Sequence, residues 1–449
     1  MIFLTESSDK KYACLVVLSV VALMGIWPSP KVLFFRHLFL GLGVLSSFPL
    51  IYQNASLKKI GLYAWIFCLL LWVGIHFTFF SLNPVIEWRE ITGLWLRVLA
   101  GFVLALGLVV SLKKYPELKG LFFSSLFLAS VIGIVSYLYF SYTHHRILMP
   151  GEFPNRSEFL YAKIETVFFG SIAVAVTCAN LLRLIQEPKK QALKISFCIL
   201  GFTVALGSVI LASAKNGLLY MTLLFSMFIL VQLVTTLKTK QNGLFKLFFI
   251  GLLTTIFVTA AYWHVKTTSP GWNTLLEDVA LARQIEKYPA WKSTGLGLPI
   301  NSSGTTVAGN TYERVAWITV GIELIKKYPL GYGSINASFW NLLTIDGYQH
   351  NIRGQVHSGW IDLGLAFGFP ALIIVWSTLL GTIFFGIKEK TEWPKLAAWI
   401  AFAIFMMGFT TEITYKEEFE AYMFLIAFAS ACFMPLKNTL QKKSSLLNE

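Results

Sequence analysis

The sequence predicts an all-α polytopic membrane protein with about twelve transmembrane helices and one large helical loop between the ninth and tenth spans. Of its 449 residues, 56% are hydrophobic and only 13% are charged, too few charges to cover a soluble protein of this length. Apolar runs of about 20 residues, the length that crosses a bilayer core, recur along the chain. These runs are continuous, whereas the strands of a transmembrane barrel alternate, so a barrel is excluded.

The predicted spans divide the chain into three parts. They cover residues 12–28, 32–52, 60–81, 91–112, 119–140, 163–185, 192–211, 217–236, 244–264, 358–386, 396–411 and 419–436. Residues 1–264 hold the first group of spans, and residues 265–356 form an extramembrane loop with amphipathic helices. Residues 357–449 hold the remaining spans and a tail.

Lysine placement predicts the orientation of these spans. The short segments on the side of the N-terminus are all basic: Lys10, Lys11, Lys58, Lys59, Lys113, Lys114, Lys119, Lys189, Lys190, Lys194, Lys238, Lys240, Lys246, Lys388, Lys390, Lys395, Lys437, Lys442 and Lys443. Because short basic loops stay in the cytoplasm, both termini are predicted to be cytoplasmic. The loop 265–356 and a shorter segment, 141–162, then lie outside.

Arginines and histidines show the opposite distribution. Every arginine except Arg183 falls in outer segments or outer halves of spans: Arg36, Arg89, Arg97, Arg146, Arg156, Arg283, Arg314 and Arg353. All histidines do the same: His37, His76, His144, His145, His264, His350 and His357. The positive-inside rule disfavours outer arginines. Their excess therefore predicts that the outer face binds an anionic ligand.

The stretch "NTYERVAWITVGIELIKKYPLGYG", residues 310–333, predicts an amphipathic helix over the membrane part. Asn310 with Glu313 resembles a capping box, and Pro329 ends the helix. Its apolar stripe is predicted to be Val315, Ile318, Ile322 and Ile325. Arg314 in the first turn is a candidate bidentate ligand for phosphate at a helix N-terminus. The alternative is a residue that only solvates the helix; Arg283, in the segment 274–289, fits that alternative better.

Other outer cations are weaker candidates for the same anion. Lys215, in the short turn "ASAKN", is held at the outer surface by two long spans, although it could also reach lipid headgroups. Arg36 and Arg97 lie inside predicted spans, where a charge suggests a functional site unless it reaches the interface. Arg89 lies just before a span. In the segment 141–162, Arg146 or Arg156 is expected to contribute.

His357 is the candidate general base. It lies at the start of a predicted span, where the positive helix end and nearby arginines disfavour a protonated imidazole. A neutral imidazole can accept a proton from a hydroxyl. The alternative is an interfacial histidine bonded to a backbone carbonyl. His350 and Arg353, immediately upstream, are secondary candidates.

These residue types favour transfer from a lipid-linked sugar diphosphate. The outer face has no ATP, so its substrate must arrive activated, and arginines can stabilise a diphosphate leaving group without a metal. The chain has only four aspartates (Asp9, Asp278, Asp346 and Asp362), no DxD motif and no metal-ligand spacing of histidines. Neither a metal nor another cofactor is predicted, and no nucleic acid partner is expected.

Two stretches resemble the O-antigen ligase and polymerase superfamily. They are "YERVAWITVGIELIKKYPLGYGS" and "VHSGWIDLGLAFGFPALI", which match the superfamily pattern at Arg314, Trp317, Pro329, Gly331, Gly333, His357, Gly368 and Pro370. "ASAKNGLL" resembles the family's "S-R-G" turn with Lys215 in place of arginine. The family's "H-S-H-N" is "H-S-G-W" here, which leaves both His357 and His350 as candidates; the distance to the following glycine favours His357.

The resemblance implies a GT-C type fold and an inverting glycosyltransferase in the bacterial inner membrane with its site on the periplasmic face. The single dominant outer loop is most similar to the ligase branch. That branch implies a donor, O-antigen on undecaprenyl diphosphate, and an acceptor, lipid A–core, with membrane lipids around both. Arg314, Lys215, Arg146, Arg156, Arg97, Arg89 and Arg36 would then hold the donor diphosphate.

Three other functions compete with a ligase. A polymerase would use the same chemistry on a lipid-linked acceptor. A protein glycosyltransferase would be expected to carry an extra outer module after the last spans. A polysaccharide-lipid flippase would need charges along a path through the bilayer, whereas the inner halves of the predicted spans are nearly free of charge.

Overall fold

The computed structural model is built from helices. It describes residues 6–27, 29, 32–56, 61–149, 152, 163–186, 192–212, 214–239, 251–252, 254–255, 257–259, 261–263, 274–348, 354–411 and 416–437. The helices are α1 Glu6–Ile26, α2 Leu33–Asn54, α3 Gly61–Phe79, α4 Pro84–Glu90, α5 Leu96–Lys114, α6 Lys119–Ser125, α7 Leu128–Thr143, α8 Lys163–Gln186, α9 Ala192–Leu211, α10 Lys215–Thr239, α11 Leu275–Ala282, α12 Gly309–Lys327, α13 Ser338–Ile345, α14 Gly359–Lys388, α15 Glu392–Met407 and α16 Lys416–Ala431. Within these residues the only β pairing is two isolated bridges.

The predicted fold class, an all-α polytopic membrane protein, is confirmed. Among the described residues, eight helices are long and apolar enough to cross a membrane: Leu33–Asn54, Gly61–Phe79, Pro84–Lys114, Pro116–Thr143, Ile164–Ile185, Ala192–Leu211, Lys215–Thr235 and Gly359–Lys388. The predicted spans 12–28, 396–411 and 419–436 correspond to α1, α15 and α16, which are outside that set. The predicted span 244–264 lies largely outside the described residues.

The fourth span begins earlier than its predicted start at residue 91. Pro84 opens α4, and the Asn83 side chain caps it by accepting the Ile86 N–H at 3.2 Å. A π-helical turn, Ile91–Trp95, then joins α4 to α5. Charges at Glu87 and Glu90 hide this part of the helix from a hydropathy pattern, but both carboxylates are buried.

The membrane helices pack around α8 and α5. Helix α5 packs between α2 and α16, and α8 packs against α9 and α15. Only about a third of the residues of α2 and α3 are buried inside the protein, as expected for helices facing lipid. The end of the bundle covered by residues 274–348 is called the loop side below.

The loop has an apolar core of its own. Its buried side chains include Trp291, Tyr312, Trp317 and Phe339. The Trp317 indole donates to the Trp291 carbonyl at 3.1 Å, which satisfies its polar group. Because Leu365 of α14 belongs to the same core, the loop is packed onto the membrane part.

The predicted start and buried stripe of α12 were wrong in detail. The N-cap is Ala308 and not Asn310, which places Arg314 in the second turn and not the first. The buried face is Tyr312, Ala316, Trp317, Val320, Gly321, Leu324 and Ile325. Only Ile325 of the predicted stripe belongs to it, because small and aromatic residues, which the apolar pattern did not count, make the contact.

Helix α14 is broken near its N-terminal end, at Phe367 and Gly368. Phe367 has φ −132° and ψ 15°, and Gly368 has φ 68° and ψ −167°, so the helical hydrogen bonds stop there. The loop segment Pro329–Gly333 fills the break. The Tyr332 and Gly333 N–H groups donate to the Leu365 and Ala366 carbonyls at 2.9 and 2.6 Å. The Phe369 N–H donates to the Pro329 carbonyl at 2.9 Å.

Glycines permit this contact between the Pro329–Gly333 segment and the break in α14, which is called the interlock below. Gly331, Gly333 and Gly368 all have positive φ. A Cβ on Gly331 would meet the Ala366 carbonyl, and one on Gly368 would meet the Pro329 carbonyl. The two motifs that carry the resemblance are therefore in direct contact, which fixes the first part of α14, residues 359–366, against the loop.

Candidate functional site

His357 lies just before the first turn of α14, in an unusual backbone conformation. Its φ is 62°, a left-handed value that few residues other than glycine adopt. The side chain is buried, and its ring stacks on Trp317 with centroids 5.7 Å apart and planes 26° apart. Strained backbone of this kind clusters at functional sites. The predicted placement of His357 at the start of a helix is confirmed.

The turn around His357 is tied to neighbouring elements. The Val356 N–H donates to Asp362 Oδ1 at 2.9 Å. The Trp360 N–H and the Ser358 hydroxyl both donate to the Gly408 carbonyl, at 3.1 and 3.3 Å. The turn is thus fixed both to its own helix and to the end of α15.

Arg314 shares a face of α12 with Trp317, because residues three apart on a helix are neighbours. It is half-buried and interacts electrostatically with the Tyr220 hydroxyl. The Trp317 ring stacks in turn on the His357 ring. The structure therefore brings the two predicted catalytic residues, Arg314 and His357, to one place on the loop side.

Tyr220 is a site residue that the sequence analysis missed. Its buried hydroxyl forms hydrogen bonds with Thr410 and, at 3.1 Å, with Thr411, and it donates to the Met407 carbonyl at 3.3 Å. It therefore joins α10 to the end of α15, beside the Gly408 carbonyl that holds the His357 turn. Only its position five residues after Lys215 could have indicated this role, since a lone tyrosine in an apolar span gives no signal of its own.

Lys215 is the first residue of α10 and is half-buried. It interacts electrostatically with Asp278 of α11. Asp278 is fully buried and accepts the Ala308 N–H at 3.0 Å, just where α12 begins. A protein carboxylate thus faces the helix N-terminus that was expected to attract phosphate.

Arg36 and Arg97 belong to a second cluster, built between other helices. The Arg97 guanidinium donates to Glu420 at 2.5 Å, and Arg36 and Trp27 also interact with this carboxylate. His37 lies near both arginines. The cluster joins the end of α1 and the helices α2, α5 and α16. That these arginines bind the donor stays a prediction; the ion pair itself links helices.

Arg89 and Arg146 are exposed. Arg89 lines an open cleft with Ser334 and Asn336. Arg146 forms two hydrogen bonds with Glu152, at 2.9 and 2.7 Å, which hold the pKa of that carboxyl below its ordinary value. The candidates Arg156, His350 and Arg353 lie outside the described residues.

Acidic residues beside the interlock were also missed. Glu90 accepts the Ser334 hydroxyl at 2.6 Å and the Ile335 N–H at 2.5 Å. Glu87 pairs with His76 at 2.7 Å, and both are buried. Two glutamates one turn apart at the start of a span were the available signal. Glu90 stabilises the segment after Gly333, whereas the Glu87–His76 pair lies beside the break in α14, where the His76 ring contacts Phe367.

Within the part of the chain that the structure describes, no three His, Cys, Asp or Glu side chains are grouped to hold a metal ion. The arrangement offers instead an imidazole, an arginine, a lysine and a buried phenol. Such a set can bind a diphosphate and accept a proton from a hydroxyl.

Residues 198–376 match the family model described as O-antigen ligase. The match spans less than half of the chain, but it includes Lys215, Tyr220, Arg314 and His357. The match supports a relation to the O-antigen ligase and polymerase superfamily, whose members are glycosyltransferase-like enzymes. The predicted donor ligands Arg36, Arg89, Arg97, Arg146 and Arg156 all lie before it. No curated protein matches the chain.

Proposed function

We propose that this protein is an O-antigen ligase of the WaaL type. It transfers O-antigen polysaccharide from undecaprenyl diphosphate to a sugar hydroxyl of lipid A–core, on the periplasmic face of the inner membrane. The observation that carries this proposal is the stack of His357 on Trp317, one turn from Arg314, within the segment that matches the ligase family.

The proposed reaction is a direct displacement. His357 accepts the proton of the acceptor hydroxyl, whose oxygen attacks the anomeric carbon of the donor sugar. The bond between that carbon and the phosphate oxygen breaks, and undecaprenyl diphosphate leaves with the electron pair. Arg314 and Lys215 stabilise the charge that develops on the diphosphate. One displacement inverts the anomeric carbon.

The geometry suits two membrane-anchored substrates. The diphosphate of a lipid-linked donor stays at the interface because its lipid tail remains in the bilayer. His357 precedes the first turn of α14, and Lys215 begins α10, so both lie at helix ends and not at mid-bilayer. A base and a cation at that depth can meet both the hydroxyl and the diphosphate.

Reconstitution tests the proposal. The purified protein in liposomes is given a lipid-linked O-antigen donor and lipid A–core, with and without EDTA. We expect a product that carries lipid A and a rate that EDTA does not change. Longer chains that remain on undecaprenyl diphosphate would indicate a polymerase. Movement of donor across the bilayer without transfer would indicate a flippase, and loss of activity in EDTA would refute metal independence.

A further inference from the structure

Asp362 has no role in the reaction described above, yet it bonds the residue immediately before His357. It is buried and lies in the first turn of α14. Its Oδ1 accepts the Val356 N–H at 2.9 Å, and its own N–H donates to the Ser358 carbonyl at 2.8 Å. Together these bonds close a small ring of backbone around His357.

We propose that Asp362 is a positioning residue for His357, an inference that rests on the proposed function. A left-handed backbone at a residue with a side chain costs about 1–2 kcal/mol, so it persists only where neighbouring bonds hold it. The Asp362 bond fixes the residue immediately before His357, and the Ser358 hydroxyl bond to Gly408 fixes the residue after it. The imidazole is thereby kept on the Trp317 ring.

Helix capping alone does not account for this bond. The N-cap of α14 is Ser358, and no side chain caps it. Asp362 instead accepts the N–H of Val356, on the far side of His357 from the helix. An amide oxygen at the same place could accept that bond equally well. The positioning that we propose therefore requires an acceptor oxygen at this place and not the negative charge.

The test compares Asp362→Asn with Asp362→Ala in the reconstituted transfer assay. Asparagine keeps an oxygen acceptor, so we expect Asp362→Asn to retain kcat within about threefold and to leave the pH dependence of kcat unchanged. Alanine removes the acceptor and releases the turn. Because a misplaced base can lower the rate about 10²-fold, we expect kcat to fall by that amount. The KM for the donor should change little. Asp346→Ala removes a carboxylate of the loop that bonds Lys327 and Tyr328 instead; it is the control and should stay near wild type.

A double-mutant cycle separates positioning from general stability. If Asp362 acts only through His357, adding Asp362→Ala to His357→Ala should not lower the residual rate further. An equal loss in both backgrounds, or full activity of Asp362→Ala alone, would overturn the inference.

Asp362→Asn keeps the test decisive if Asp362→Ala fails to fold. An inactive but folded Asp362→Asn protein, or one with a shifted pH profile, would assign the role to charge and overturn the inference. Failure of the proposed function looks different: wild-type protein would then transfer no sugar to lipid A–core.

Discussion

At the scale of single residues, the site joins side chains that are far apart in the sequence. Lys215 and Tyr220 come from α10, Arg314 from α12, and His357 from the turn before α14. Tyr220 links them, because its hydroxyl interacts with Arg314 and bonds to the end of α15 beside the His357 turn. The role proposed for each of these side chains depends on its shape as well as on its charge.

Arg314→Lys tests the shape requirement. Lysine keeps the positive charge but loses the planar fork that binds two phosphate oxygens. We expect kcat to fall by about 10²-fold or more, the usual effect of losing one stabilising donor. Arg283→Lys, an exposed arginine in the same loop, should remain near wild type, and Lys215→Arg should be tolerated. Comparable rates for Arg314→Lys and Arg283→Lys would make Arg314 a solvated helix residue.

Residue types predicted the candidates His357, Arg314 and Lys215, but not the neighbouring residues that hold them in place. Tyr220 and Asp362 were missed because one polar residue in an apolar span has no periodic signal. Arg36 and Arg97 were predicted as diphosphate ligands by their depth in the membrane. Their proximity to Glu420 depends on how α5 packs against α16, which no local pattern contains.

At the scale of elements, the loop and α14 stabilise each other through the break at Phe367 and Gly368. Four polar groups at the break find partners: three in the Pro329–Gly333 segment, and the Phe367 carbonyl, which accepts the Trp72 indole N–H at 2.8 Å. Unpaired backbone groups are costly in a membrane protein, so this exchange of partners is what permits the break.

Gly368→Ala tests that interlock. An added Cβ would strain the left-handed backbone and meet the Pro329 carbonyl. We expect a loss of stability of about 2 kcal/mol or more, seen as a lower unfolding temperature in detergent. Gly297→Ala is the matched control: its φ is 75°, but nothing lies within 4 Å of the added atom. Equal unfolding temperatures for the two variants would show that the contact with the loop contributes nothing.

A charge exchange tests the cluster between α5 and α16. Arg97→Glu leaves two carboxylates together, and breaking a buried ion pair typically costs about 3–5 kcal/mol. The double variant Arg97→Glu, Glu420→Arg restores the pair but places an arginine beside Arg36, so it should recover part of the unfolding temperature and of the transfer activity. A double variant that folds normally but has a greatly raised KM for the donor would instead show that Arg97 binds the diphosphate.

At the scale of the whole molecule, composition and apolar run length were enough for the fold class, and lysine placement predicts its orientation. Helix starts were less predictable where charges are buried and paired, as at Glu87 and Glu90 of α4. The packing of the loop core, with Trp291 against Trp317, could not be predicted because it depends on contacts between distant segments.

Cysteine labelling tests the orientation. Ser303 is exposed in the loop, so Ser303→Cys should react with an impermeant thiol reagent in intact spheroplasts. Lys390→Cys, exposed in the turn between α14 and α15, should react only after lysis. The native cysteines lie within or at the ends of helices and give the background. The reverse pattern would refute cytoplasmic termini.

The most direct test of the central claim is the transfer rate of purified His357→Ala protein in liposomes. Loss of a general base should lower kcat by about 10²–10⁴-fold while folding and donor binding persist. His144→Ala, an exposed histidine at the end of α7, should be unaffected, and His350→Ala should cost much less. A near wild-type rate for His357→Ala would contradict the account. If His350→Ala were inactive in that case, the base would be His350; if both were active, the cations alone would drive the reaction.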